Sequence, residues 1–322
     1  MAAAFKAMTM DAQHADPARD AGHFSVVVVT YNSTDTVVET LDSIAAQDHG
    51  PLELIVCDDA SRDATCAVVQ QWLQVNAGRF VRASLLPSAA NQGLCRNLAR
   101  GYSAATGTWL KAIAGDDLLL PGAIAAYAQA AENSPHAAIV ARVQSFRDEG
   151  GQRIWGEVLP ADADMEALAL PAAALLRRLA VSNPIPAPGV CLRRSTFERL
   201  GGFDPEFTHL DDWPLWMKLT LAGLSFGTLP LTLVGYRVSG GSISANRSAL
   251  AVNRQYLADL VHFYRRYQRH ALPLLLSIDR GIETLRWSWA AGPMRQRPVL
   301  YRATRALFGL SPHRWAALLL RR

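Results

Sequence analysis

The chain has 322 residues, half of them hydrophobic, with a mean hydropathy of +0.06 and a formal net charge of +4. That is enough for one large α/β domain with appendages, or for two small domains. No uninterrupted apolar stretch approaches the roughly 18–20 residues of a membrane span. The four cysteines (Cys57, Cys66, Cys95 and Cys191) show no CxxC or Cys/His spacing, which argues against zinc and suits reduced thiols.

Residues 1–23 are Ala-rich with scattered charges and no apolar signal core, and read as a disordered leader. The β-branched run 25–31 predicts a buried parallel strand. Apolar positions at helical spacing over 34–47 predict the next helix, followed by a strand over 52–59 and a helix over 63–76. A weaker strand (80–87) precedes 91–105, a loop entering a helix. A strand over 108–115, a helix over 121–133 with Pro121 in its first turn, and a strand over 137–146 complete this half. This βαβαβ order predicts a parallel sheet with right-handed crossovers. Beyond it, a polar, Gly-rich stretch (147–165) leads to a helix over 171–181 and the Pro-rich loop 182–189. A strand (190–193), helices over 195–200 and 211–223, and the segment 231–244 follow. From Asn253 onward 13 Arg face only 3 acids, a local charge of +10, while the remainder of the chain carries −6. An acidic-leaning body with a basic tail is a membrane-surface or polyanion-contact pattern.

Four polar signatures stand at the ends of apolar segments: VVTYNS (28–33), VCDDAS (56–61), AGDDLLLP (114–121) and HLDDWPLW (209–216). In an open α/β sheet such strand ends gather into one crevice, where ligands bind. Adjacent carboxylates repel and resist burial, so three Asp-Asp pairs in one crevice point to chemistry. A divalent cation with a phosphorylated substrate would explain two pairs and a general base the third. Each has an alternative structural reading. Asn32 or Ser33 can cap a helix, Asp58 and Asp63 can be turn and cap residues, and Asp116 and Asp117 can form a charged helix start. Arg96 can meet a phosphate or solvent, and Arg237 a diphosphate or a loop rim.

Residues 25–144 and 189–244 resemble the family 2 glycosyltransferases, through DDASRDAT (58–65), NQGLCRN (91–97), AGDD (114–117), HLDDWPLWMKL (209–219) and GYRVSGGSIS (235–244). The resemblance implies a GT-A-like α/β fold, a Rossmann-type, mostly parallel sheet flanked by helices, with a helical, basic C-terminal extension. It divides the chain into the leader 1–23, a transferase domain 24–245 (nucleotide-binding half 24–146, acceptor half 147–245) and the extension 246–322. It implies that Thr30 and Tyr31 line the nucleotide base and that Asp59 reads it. Asn91, Gly93, Arg96, Asp116 and Arg237 join the nucleotide-sugar site, and Asp117 with Asp116 holds Mg²⁺ or Mn²⁺. Asp212 is the general base, with Asp211 as its substitute. The chain departs from the family pattern at Ala114, where an Asp is usual, and at Ser239, where a His can complete the metal shell.

The expected activity is inverting transfer of a sugar from a UDP- or dTDP-type donor to a hydroxyl of a glycan or lipid-linked acceptor in surface polysaccharide synthesis. The expected setting is the cytoplasm, with the tail 297–322 either on the inner membrane face or packed on the domain, and with no nucleic acid partner. A catalytically silent glycan-binding or membrane-scaffold protein is the second reading, motivated by Ala114 and Ser239. No dinucleotide or Walker-type glycine loop is present, so redox and NTPase readings are poor.

Overall fold

The computed structural model describes residues 23–132, 134–238, 254–268 and a few positions between 278 and 289. Residues 1–22 of the leader, Ser239, the Gly240-Gly241 pair and the tail 297–322 lie outside the described residues.

Among the described residues nine strands form one sheet in the order β3-β2-β1-β4-β8-β6-β9-β5, with β7 paired to β6. At its centre is β1 (Phe24–Thr30), FSVVVVT, buried along its whole length. Both faces of β1 are covered, so it carries no polar alternation. It pairs in parallel with β2 (Leu52–Asp58) and β4 (Trp109–Ala114), and β2 pairs in parallel with β3 (Arg82–Pro87). The antiparallel β8 (Val190–Arg193) joins this block to β6 (Ala138–Glu149) and β9 (Phe226–Arg237), which run parallel to each other. Six strands point one way; β5 (Leu118–Leu119), β7 (Gln152–Leu159) and β8 run against them.

Alternate side chains of the central strands feed two cores. Val26, Val28, Leu54, Val56 and Ile113 pack with α1 (Val37–Ala45), α2 (Thr65–Asn76) and α4 (Ala123–Ala131). Val27, Val29, Ile55 and Cys57 pack on the other face with α3 (Leu94–Ala104), and with them go α6 (Ala172–Leu179), α7 (Arg194–Arg199) and α8 (Asp212–Leu221). Helices therefore switch sides around β1, and the crevice at such a switch point is where ligands bind. The register sets its floor, because Thr30 pairs with Asp58 and Val29 with Ala114. The ends of β1, β2 and β4 thus lie level.

Two local expectations are corrected. The polar stretch 147–165 is a hairpin: β6 runs on to Glu149, Gly150 and Gly151 turn the chain at φ 59° and 78°, and β7 returns. Two positive-φ residues make the two-residue turn that matches strand twist. The charged ladder beside it hid the strands. A short helix, α5 (Asp162–Leu168), follows. Helix α4 begins at Ala123, so Pro121 precedes it and does not open it. The described part of the segment after residue 245 is helical and packs on the sheet domain. Helix α9 (Arg254–Phe263) buries Leu257, Asp259 and Phe263 in the main body.

Candidate active site

The first motif is built around Asp58. Its carboxylate accepts hydrogen bonds from Thr30 Oγ1 (2.9 Å), Ser61 N (2.8 Å) and Ser61 Oγ (2.5 Å). Burial pushes this carboxyl upward, but these donors hold it below the usual carboxylate range. Asp63 accepts from Thr65 N (3.0 Å) and Thr34 N (3.2 Å) in a turn before α2. Asn32 accepts from Arg62 N (2.8 Å), and its own N–H goes to Ser61 Oγ (2.8 Å). Among the described residues only Asn32 (φ 53°) and Ala60 (φ 60°) adopt positive φ without being glycine, one just past each of β1 and β2. Such backbone persists only where its surroundings over-determine it. Thr30 is buried at the strand end, whereas Tyr31 is 45% exposed and offers its ring outward.

Asp59 is buried, and its two oxygens accept the backbone N–H groups of Gln92 and Gly93 at 2.8 Å each. The carboxylate therefore fastens the 91–93 loop across the mouth of β2. Asn91 contributes an Oδ1 contact to Gly93 N (3.2 Å). Gly93 has φ +87°, and a Cβ there would lie 2.7 Å from Thr208 Cγ2, so only glycine fits. Arg96 is exposed. The arginine tied to this strand end is Arg100, whose guanidinium donates to Leu86 O (2.9 Å), Pro87 O (3.1 Å) and Asn97 Oδ1 (3.1 Å). Nothing in the sequence separates the two.

At the end of β4, Asp117 accepts from Arg237 N through Oδ1 (2.9 Å), while its buried Oδ2 has no partner. Burial, then the adjacent Asp116, push the Asp117 carboxyl up to about 8. Asp116 is half-buried, and burial raises its carboxyl too, against the pull of Arg237. The Arg237 guanidinium meets Glu39, Asp148 and the Asp116 carbonyl (2.8 Å). Arg153 completes a ring of two acids and two arginines, with Arg237 and Arg153 stacked 4.6 and 4.4 Å from the centre of Phe146. A guanidinium expected to reach a diphosphate is thus already held by two carboxylates. Beneath the site, Lys111 is fully buried, donating to the Ala112 and Pro188 carbonyls, and burial lowers its amine to about 8.

The third pair opens α8. Asp212 accepts from Asn183 Nδ2 (2.8 Å) and Trp213 N (2.6 Å). Asp211 and Asp212 are half-buried; removal from water and then, at Asp211, the neighbouring charge raise both carboxyls above the ordinary range. Together with Leu98, Tyr102, Leu192 and Trp216 they line a cavity of about 30 Å³, room for one or two waters. The pair reaches the rest of the site through Thr208, whose carbonyl accepts Cys95 N (3.2 Å) at the start of α3. Asn183 was missed from sequence because it precedes Asp212 by 29 residues and lies in an irregular loop.

The model of the family described as "Glycosyl transferase family 2" matches residues 25–201, more than half the chain. The chain belongs to this family. The match ends before Asp211, Asp212 and Arg237. This family 2 chain is 26% identical over 252 residues to EpsE of Bacillus subtilis (strain 168), a glycosyltransferase by name, covering 78% of this chain and 84% of EpsE. It is 27% identical over 192 residues to a PGL/p-HBAD biosynthesis glycosyltransferase of Mycobacterium tuberculosis (strain ATCC 25618 / H37Rv), covering 59% and 66%. Its fold is similar to that of S. aureus TarS 1–349 in complex with UDP-GlcNAc, with a TM-score of 0.57 at 17% identity over 83% of this chain and 73% of that one. The mannosyltransferase PcManGT from Pyrobaculum calidifontis, in complex with GDP-Man and Mn²⁺, superposes with a TM-score of 0.54 at 21% identity over 98% and 94%. These likenesses establish the GT-A-like architecture of the family 2 domain. Among the described residues no helix is long and apolar enough to cross a membrane.

Proposed function

We propose that the chain transfers a sugar from a nucleotide-diphospho-sugar to a hydroxyl of a glycan or lipid-linked acceptor, with inversion, in the building of a bacterial surface polysaccharide. The observation that carries this reading is the contact of Thr208 with Gly93 and Cys95, which sets the Asp211–Asp212 pair beside the loop that Asp59 fastens. A proton acceptor and a nucleotide-side loop thereby share one wall. Asp212, oriented by Asn183, takes the proton of the acceptor hydroxyl as it attacks the anomeric carbon, and the raised proton affinity of the pair suits a base working near neutral pH. Thr30, Tyr31 and Asp59 form the base side of the donor site, and Asn91, Gly93 and Arg96 flank it. UDP- or dTDP-sugars are the preferred donors of this reading; PcManGT, similar in fold, is in complex with GDP-Man.

The donor set suits a divalent cation. Asp117 Oδ2 is a buried acceptor without a partner, Asp116 stands beside it, and among the described residues no third ligand joins them. Mg²⁺ or Mn²⁺ is commonly held by one or two carboxylates, with substrate phosphates completing the shell. When bound, such an ion stabilises charge on the departing diphosphate. The basic tail of this reading attaches the enzyme to an anionic inner membrane face. Release of nucleoside diphosphate from a panel of UDP-, dTDP- and GDP-sugars, with the product anomer read by NMR, tests the activity. No release from any donor would favour the silent glycan-binding reading, whose support here is the capture of Arg237 by Glu39 and Asp148.

A further inference from the structure

Three consecutive backbone N–H groups, those of Thr208, His209 and Leu210, converge on a single oxygen, Oδ2 of Asp259, at 3.0, 2.7 and 3.2 Å. Successive N–H groups aimed at one point form an anion-binding concavity. Here the anion is a side chain of α9, 2% exposed, with Gln255 Nε2 at 3.4 Å from its other oxygen. The nest immediately precedes Asp211 and Asp212. The same helix and the turn after it grip both flanks of this loop. Arg266 pairs with Asp204 (2.9 Å) and Glu206 (2.7 Å), and Phe263 packs 4.5 Å from Trp213. On its other side the loop is fastened to α3 through Thr208 O and Cys95 N.

We propose that Asp259 is a positioning residue for glycosyl transfer, its carboxylate fixing the 208–210 backbone and thereby the attitude of the Asp211–Asp212 pair toward the acceptor. The proposal rests on the reading of that pair as the base. A charged acceptor bonded to three amides is stronger than neutral pairing, and it replaces the regular secondary structure this loop lacks. Displacing a reacting group by about 1 Å can cost on the order of a hundredfold in rate. Helix α9 lies outside the span that defines the family match, so a segment otherwise readable as an appendage becomes part of the catalytic apparatus.

The test joins amide hydrogen exchange to kinetics in the full chain, with UDP-GlcNAc and GDP-mannose among the donors. In the wild type the amides of 208–210 should be protected by at least about a hundredfold, as expected of a buried bonded unit. Asp259→Asn should release protection at 208–210 and lower kcat at least about tenfold, with donor KM within about twofold. Asp259→Glu, which keeps the charge, should recover part of kcat. Unprotected 208–210 amides in the wild type overturn the proposal even if neither variant folds. So does an unchanged kcat in Asp259→Asn while Asp212→Asn is inactive. Normal turnover by both Asp212→Asn and Asp211→Asn removes the base assignment and this proposal with it; protected 208–210 amides then identify the base reading as the part that failed.

Discussion

Replacing Asp59 is the sharpest probe of how the donor side is built. Its carboxylate accepts Gln92 N and Gly93 N at 2.8 Å each, and the side chain is buried. In Asp59→Asn one oxygen still accepts, but the amide NH₂ opposes the second N–H. Gln92 is exposed and its N–H can turn to water, whereas the buried Gly93 N–H retains only Asn91 Oδ1 at 3.2 Å. An orphaned buried donor costs about 1–3 kcal/mol, and hydrogen bonds to charged groups contribute about 1.5–3 kcal/mol. With partial rescue by Asn91, Asp59→Asn should lose about 1–2 kcal/mol, and Asp59→Ala, which leaves both donors, about 2–4 kcal/mol. For a domain of this size each kcal/mol lowers Tm by roughly 2–4 °C. The melting point should therefore fall by about 2–8 °C in the first variant and about 4–16 °C in the second. Circular dichroism melts and urea titrations at unchanged m-value measure this, and amide exchange over 91–95 should accelerate. Melting within about 1 °C of wild type for both variants, with exchange unaltered, would refute the clamp.

Asp212→Asn should retain donor binding and lose about 10²–10⁴-fold in kcat, read by nucleoside diphosphate release; loss confined to Asp211→Asn would move the base by one residue. Because burial, joined at Asp211 by the neighbouring Asp212 charge, raises the carboxyls of this pair, the native state holds more protons than the unfolded chain above the ordinary carboxylate value of about 4. Stability contributed by the pair is thus present at low pH and lost as pH rises through their folded values, while kcat/KM rises over the same window. Asp211→Asn removes the like charge, so the acid limb of its pH–rate profile should move to lower pH. Asp117→Asn should abolish metal-stimulated transfer and the Mn²⁺-induced rise in Tm, and full activity of wild type in excess EDTA would end the metal assignment. Deletion of 297–322 removes six Arg, each contributing roughly 1 kcal/mol near an anionic surface. The truncated protein should act on a soluble acceptor analogue yet fail to co-sediment with anionic vesicles at low salt, and indifference of the full chain to those vesicles would sink the membrane reading.

Much of the architecture was legible in the order of residues because it depends on local pattern. The all-apolar run of β1, the helical spacing of Val37, Leu41 and Ile44, and the alternation of such segments are consequences of covering a parallel sheet on both faces, and they select the α/β class without distant information. The polar groups at strand ends were readable for the same reason, since the end of an apolar run marks the edge of the sheet. The hairpin at Gly150–Gly151 and the short β5 were obscured because their strands exist only through pairing with β6 and β9. What tertiary structure alone decided is the work each polar side chain performs. Asp58 and Asp59 are adjacent and chemically identical, yet one closes its own turn and the other holds a loop thirty-three residues away. Arg96 and Arg100 lie one helical turn apart, and only Arg100 ties the end of β3. Arg237 is held by acids from α1 and β6, Asp212 by Asn183, and the loop before Asp212 by Asp259. Hydrophobic burial follows composition and period, which are properties of a segment. A hydrogen bond requires two particular atoms within about 3 Å, and for residues this far apart only the folded chain determines which two meet.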